Sequence, residues 1–239
     1  ARSEFVPFFQ PVVRLSDRIT VGYEALLRWQ HPERGLLAPG DFLAVAEETG
    51  AAEQIDWQMF ERTFEVAGPL LTGAAGFVAI NVSGRHFRAE TLDENLLARL
   101  RRHQIKPECV RIEVTERMLI DNPPAAKRLL DAMRAHGIGV SLDDFGTGYS
   151  SLSYLHQYPV QALKIDRSFI AEMGVEDSGS VAIVRAILAL AGALGMQAIA
   201  EGIETEAQHR ILTQLGCQLG QGFLYARPQP AHVWLDRIG

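Results

Sequence analysis

A chain of 239 residues, 47 % hydrophobic and 22 % charged, is long enough for one large domain or two small ones, with a core that needs no staples. Its net charge of −6 gives no electrostatic reason to expect duplex DNA or an anionic membrane as partner. An anionic substrate would have to be met by metal ions or by particular arginines.

Cys109 and Cys217 stand far apart without a CxxC partner and read as reduced, buried thiols. No apolar run reaches membrane-spanning length, and Ala1-Arg2-Ser3-Glu4 does not resemble a signal peptide. The chain opens almost at once into a strand-like run, as an excised domain would.

In chain order, Phe5 to Val13 reads as a strand, with prolines that suit an edge or an irregular strand. Leu15 to Arg18 is a turn and Ile19 to Leu27 a second strand; so short a connection makes an antiparallel hairpin. Asp41 is expected to cap a short helix from Phe42 to Glu48, ended by Gly50. A helix over Ile55 to Val66 precedes the near-continuous apolar strand Phe77 to Val82, a pattern typical of parallel sheets. From there helices and strands alternate. Helices are expected over Leu92–His103, Ala125–His136, Leu152–Gln157, Ser180–Leu194, Thr205–Leu215 and Ala231–Ile238. Strands are expected over Cys109–Thr115, Gly139–Leu142, Ala162–Asp166, Gln197–Glu201 and Cys217–Gln221. His136-Gly137, Leu194-Gly195 and Leu215-Gly216 each place glycine where a left-handed helix cap leads straight into a strand. Eight strands in this length favour a closed α/β barrel over an open doubly wound sheet.

The stretch Gly139 to Ser151 organises the rest. Val140 and Leu142 read as buried, and the strand runs into Asp143 and Asp144. Side chains alternate across a strand, so these neighbours can meet one ligand only if the chain turns there. Other strands also end on polar groups: Glu24, Asn81, Glu113, Lys164, Glu201 and Gln221. In a barrel these ends converge on one face, and so many buried acids need cations. An oxygen-rich set without histidine suits Mg²⁺ or Mn²⁺ rather than zinc, and two ions are compatible with the number of acids. Lys164 reads equally as a salt-bridge partner or a catalytic group.

Taken together, Glu24-Ala25-Leu26 with Leu27-Arg28-Trp29, Asn81-Val82-Ser83, Glu113-Val114-Thr115-Glu116, the Asp143 to Ser151 run, Lys164-Ile165-Asp166 and Ala200-Glu201-Gly202-Ile203-Glu204 resemble an EAL-domain cyclic-di-GMP phosphodiesterase. The ordered set is specific where the tripeptide alone is not, and it extends from about Phe5 to about Pro228. The resemblance implies a (β/α)₈ barrel with an antiparallel first strand, forming a single domain over residues 1–239 taken from a longer protein. It implies that Glu24, Asn81, Glu113 and Asp143 hold one metal, with Asp143 and Asp144 holding a second. Glu201, helped by Lys164, would act on the attacking water. Gln10, Arg28 and Gln221 match substrate-contacting positions, and Glu116 matches an anchor for the loop from Phe145 to Ser151. The implied reaction is Mg²⁺- or Mn²⁺-dependent hydrolysis of cyclic-di-GMP, a bacterial second messenger, to linear pGpG, with Ca²⁺ inhibitory. The alternative is a receptor of the same fold that binds without cutting. A homodimer through residues 145–151 and a cytoplasmic location, without membrane contact from this domain, complete the expectation.

Overall fold

A computed structural model of the chain describes residues 4–71, 76–84, 86, 92–146, 155–174 and 179–238. β1 (Phe5–Arg14) and β2 (Thr20–His31) form the opening hairpin, antiparallel with Gln10 opposite Glu24. The Asp17 carboxylate closes its turn by accepting from the Ile19 amide at 3.1 Å. β3 (Gly35–Leu37) adds a short antiparallel edge to β2. Then β4 (Phe77–Asn81), β5 (Val110–Thr115), β6 (Gly139–Phe145), β7 (Ala162–Ile165), β8 (Gln197–Ala200) and β9 (Leu219–Gly220) follow, each parallel to the one before it, with β4 parallel to β2. β9 pairs antiparallel with β1, and β1 with β2, so the ring closes into a barrel of eight strands. β10 (Gln229–Pro230) pairs antiparallel with Phe8 and Phe9 of β1.

The helices are α1 (Leu43–Thr49), α2 (Ala52–Leu71), α3 (Leu92–Arg102), α4 (Glu116–Asp121), α5 (Pro123–Ala135), α6 (Arg167–Ala171), α7 (Ser180–Ala193), α8 (Glu206–Gln214) and α9 (Ala231–Ile238). Gly137, Gly195 and Gly216 have φ of +82°, +68° and +84°, the left-handed caps expected of them. Thr205 caps α8 by accepting from the Gln208 amide, and Gln208 returns a capping-box bond. Asp41 does not cap α1. It ends a 3-10 turn that begins at Pro39, and its carboxylate reaches back to the Ala38 amide at 3.0 Å. Proline at the start of that turn fixes the entry earlier than the helix itself. Of the helix expected over Leu152–Gln157, residues 152–154 lie outside the described residues, and Leu155 to Gln157 are the end of a helix running into a turn.

Strand parity sorts the core. Outward residues such as Ile80, Ile112, Val140, Leu163 and Ile165 pack under the helices with Phe60, Phe64, Leu96, Leu130 and Val184. Inward residues form a smaller cluster of Val12, Phe77, Ala79, Ala162, Ile199 and Leu219 that fills the lumen. At its floor the Arg111 guanidinium lies 3.8 Å from the centroid of the Phe77 ring. That packing makes the barrel a filled support rather than a pore, and the polar residues stand on top of it.

Candidate active site

The strand ends do converge. Lys164, 1 % exposed, projects from β7 into a ring of carboxylates. Its Nζ lies 2.7 Å from Glu113 Oε2, 2.8 Å from Glu201 Oε1, 3.2 Å from Asp143 Oδ1 and 3.4 Å from Glu24 Oε2. The carboxamides complete the layer. Asn81 Nδ2 donates to Glu24 Oε1 at 2.9 Å, and Gln221 Nε2 donates to Glu24 Oε2 at 2.8 Å and to Gln10 Oε1 at 2.9 Å. Of the two readings left open for Lys164, salt-bridge partner is the one this arrangement displays.

The adjacent aspartates meet as the parity argument requires. Asp144 adopts φ +52°, and the pairing of β6 with β7 slips between Leu142 and Phe145. This break in the strand costs a non-glycine residue a left-handed conformation. It brings ligand oxygens of Asp143, Asp144 and Glu201 within 4.8 Å of one another. Three such oxygens, with no cysteine or histidine in the group among the described residues, fit a hard divalent cation, and this cluster can hold one. Glu24, Asn81, Glu113, Asp143 and Asp144 also line a cavity of about 600 Å³ whose walls include Leu26, Met59, Phe60 and Arg167.

Electrostatics divides the acids. Burial pushes Glu113 well above the usual carboxylate range, and the charges of Glu24, Asp143 and Glu201 push the same way against Lys164. Glu201 is pushed up to about 8, first by burial and then by Asp143 and Glu24, against the pull of Lys164. Burial and the neighbouring Asp143 also raise Asp144. Glu24 goes the other way. Burial opposes its charge, but Lys164 and the hydrogen bonds from Asn81 and Gln221 outweigh it. Burial would lower Lys164, yet the surrounding acids hold it well above its usual value. The layer thus keeps Lys164 as a firm cation and Glu24 as a firm anion, while Glu113, Glu201 and Asp144 hold their protons more tightly than ordinary carboxyls.

Arg28 feels the charge of Glu24 without an ion pair to the Lys164 ring among the described residues; burial lowers its pKa against the pull of Glu24. The Arg28 guanidinium donates to the Leu27 carbonyl at 2.7 Å and lies 5.6 Å from the Phe8 ring centroid. Glu116 is the half-buried first residue of α4, and the loop it is expected to anchor is described only as far as Gly146. Sequence reasoning passed over Asp56 and Arg167, both on the cavity wall. Asp56 accepts from the Ser83 amide at 3.1 Å, which ties α2 to the end of β4. An acid on an otherwise apolar face of α2 was the available signal for it. Glu201 was expected to act on water, and its oxygens prove close enough to the aspartates to share a cation.

The sequence profile of the EAL domain matches residues 1–228. MucR of Pseudomonas aeruginosa, named a bifunctional diguanylate cyclase/cyclic di-GMP phosphodiesterase, is 44 % identical over 239 residues, covering 99 % of this chain and 35 % of MucR. RocR of the same organism, named a cyclic di-GMP phosphodiesterase, is 37 % identical over 234 residues, covering 98 % of this chain and 59 % of RocR. The chain therefore spans about a third of the first relative's length and under two thirds of the second's. A solved structure titled as the PaMucR phosphodiesterase in complex with c-di-GMP superposes with a TM-score of 0.92 at 42 % identity, over 97 % of this chain and 94 % of that one.

Proposed function

The chain belongs to the EAL domain family, and from that membership we propose that it is a metal-dependent phosphodiesterase opening cyclic-di-GMP to linear pGpG. The observation that carries the reading is the gathering of Glu24, Glu113, Asp143 and Glu201 around one buried lysine, with Glu24, Glu113 and Asp143 also lining a cavity. In this reading Glu24, Asn81, Glu113 and Asp143 hold one divalent ion, and Asp143 with Asp144 a second. Bound there, Mg²⁺ or Mn²⁺ would neutralise charge on the phosphoryl group and acidify water.

The chain's own residues do the rest. Glu201, whose carboxyl is pushed up to about 8 in the metal-free site and so is mostly protonated at pH 7, would accept a proton from the attacking water once metal binding has driven its own proton off. Water oxygen bonds to phosphorus as the bond from phosphorus to one ribose O3′ breaks, and that oxygen leaves with a proton. Lys164 holds the carboxylates in register, so that their mutual repulsion does not splay the site. Gln10, Arg28 and Gln221 contact the substrate, and Glu116 steadies the loop from Phe145 to Ser151. Homodimerisation through that loop and a cytoplasmic location belong to the same reading. Among the described residues no helix is long and apolar enough to cross a membrane.

Glu201→Gln tests the assignment. Cyclic-di-GMP binding measured by calorimetry with metal present is retained, while turnover falls by about 10²–10⁴-fold. Loss of binding together with turnover would move Glu201 from proton acceptor to metal holder. A wild-type protein that binds the nucleotide with Mg²⁺ or Mn²⁺ and never cuts it would be a receptor instead.

A further inference from the structure

At the end of the barrel opposite the acid ring, two recesses of about 350 and 250 Å³ share Met196 as a wall, which joins them into one trough. They lie where Gln161, Met196 and Gln218 lead into β7, β8 and β9, beside the C-terminal ends of α5, α7 and α8. Val160, Leu194, Met196 and Leu215 supply apolar walls. Arg134 and His156 line the larger recess and Arg185 the smaller, and no aspartate or glutamate lines either among the described residues. That inverts the charge balance of a chain whose 29 acids outnumber its 23 lysines and arginines. We propose that this trough docks an acidic amphipathic segment of a partner protein, with apolar side chains in the recesses and carboxylates on Arg134 and Arg185.

Both arginines are exposed, and neither forms an ion pair among the described residues. Nor is Arg134 needed by the helix end on which it stands. The Ile138 amide donates to the Met133 carbonyl at 2.9 Å and the Gly137 amide to the Arg134 carbonyl at 3.0 Å, so α5 is capped by its own chain. Gly192 points the same way. It lies in the last turn of α7, lines the smaller recess and lacks a positive φ, and a Cβ there would meet nothing within 4 Å. Neither conformation nor crowding asks for glycine, which weakens a helix by up to about 1 kcal/mol relative to alanine. Its missing side chain leaves the recess open. Gly216, which lines the same recess, is accounted for by its cap at φ +84°.

A protein segment suits this trough better than a lipid surface. Basic patches that hold membranes gather about four to eight lysines or arginines, whereas two arginines stand here around a concavity on a chain of net charge −6. The trough lies at the strand starts and the acids at the strand ends, so occupant and nucleotide can be bound together. The docking surface therefore stands or falls independently of the phosphodiesterase reading.

The test titrates the purified chain into fluorescein-labelled peptides of about 15 residues, with leucine at helix-face spacing and either glutamate or lysine elsewhere. Wild type binds the glutamate peptide and not the lysine one. Gly192→Leu, which fills the smaller recess from its own helix, weakens binding by at least about ten-fold, as does Arg134→Glu combined with Arg185→Glu. Gly192→Ala, too short to fill the recess, binds as wild type does. Turnover of cyclic-di-GMP is the same in every variant, which separates a blocked trough from a damaged fold. Wild-type affinity in Gly192→Leu or in the arginine pair, equal binding of the two peptides, or no binding of the glutamate peptide would overturn the proposal. So would phosphatidylglycerol vesicles that hold the chain through Arg134 and Arg185 while the glutamate peptide does not bind, which would make the trough a membrane contact.

Discussion

Replacing Lys164 by Met keeps the bulk of the side chain and deletes the one cation at the centre of the acid ring. At an effective dielectric of about 20, each contact of this length represents roughly 5 kcal/mol of gross attraction. Burying the ammonium consumes several kcal/mol of that. Removing one partner of a buried ionic cluster nevertheless costs about 3–5 kcal/mol, because the other charges stay buried. Protonation of Glu113 and Glu201, both raised, softens the loss at neutral pH and not above it. Urea denaturation in EDTA at pH 7 and at pH 9 measures this. The metal-free variant should lose about 3 kcal/mol at pH 7 and more at pH 9. Mg²⁺ should return a larger share of stability to the variant than to wild type, since it supplies the missing positive charge. A loss below about 1 kcal/mol at both pH values would refute the reasoning, placing the pair in the range of exposed ion pairs.

The raised carboxyls also set the pH dependence of the metal-free protein. A carboxyl whose folded pKa lies above its unfolded value contributes stability in full below the unfolded value and loses it as pH rises through the folded one. For Glu201 that window runs from the ordinary carboxylate range to about 8, so stability should decline across it, and Glu201→Gln should flatten the decline. A metal-free stability that rises over that window in wild type would contradict this. At pH 7 metal binding should release protons, seen as a calorimetric heat that changes with the ionisation enthalpy of the buffer; a buffer-independent heat would argue against stored protons. Gly222→Ala should cost more than about 3 kcal/mol by urea midpoint, because the added methyl meets the Ile203 backbone rather than a movable side chain. An unchanged midpoint would show that this backbone can move aside.

Much of the site was legible because it follows from strand parity. Two adjacent aspartates after a buried strand had to turn to share a ligand, and Asp144 does so at positive φ. The convergence of Glu24, Asn81, Glu113, Lys164 and Gln221 follows once the strands close, since their ends have nowhere else to point. What stayed hidden depends on contacts between distant segments. Asp56 sits on a helix that reaches the cavity wall, and its bond to the Ser83 amide joins segments that neither local pattern pairs. β3 is three residues long, and its register with Trp29 to His31 is tertiary information. Asp41 looked like a cap by residue type, but Pro39 had already begun the turn. α4 starts at the residue directly after β5, so no loop signal separates them.

The central claim is that this ring of acids cuts a phosphodiester with metal help. The direct measurement is chromatography of cyclic-di-GMP incubated with the purified chain and Mg²⁺ or Mn²⁺, beside parallel samples with EDTA, with Ca²⁺ and with Asp143→Asn. The account predicts linear pGpG in the Mg²⁺ or Mn²⁺ sample, little or none with EDTA or Ca²⁺, and a loss of at least about 10²-fold in the variant. Intact cyclic-di-GMP in every sample, from a protein shown to bind both nucleotide and metal, would contradict it.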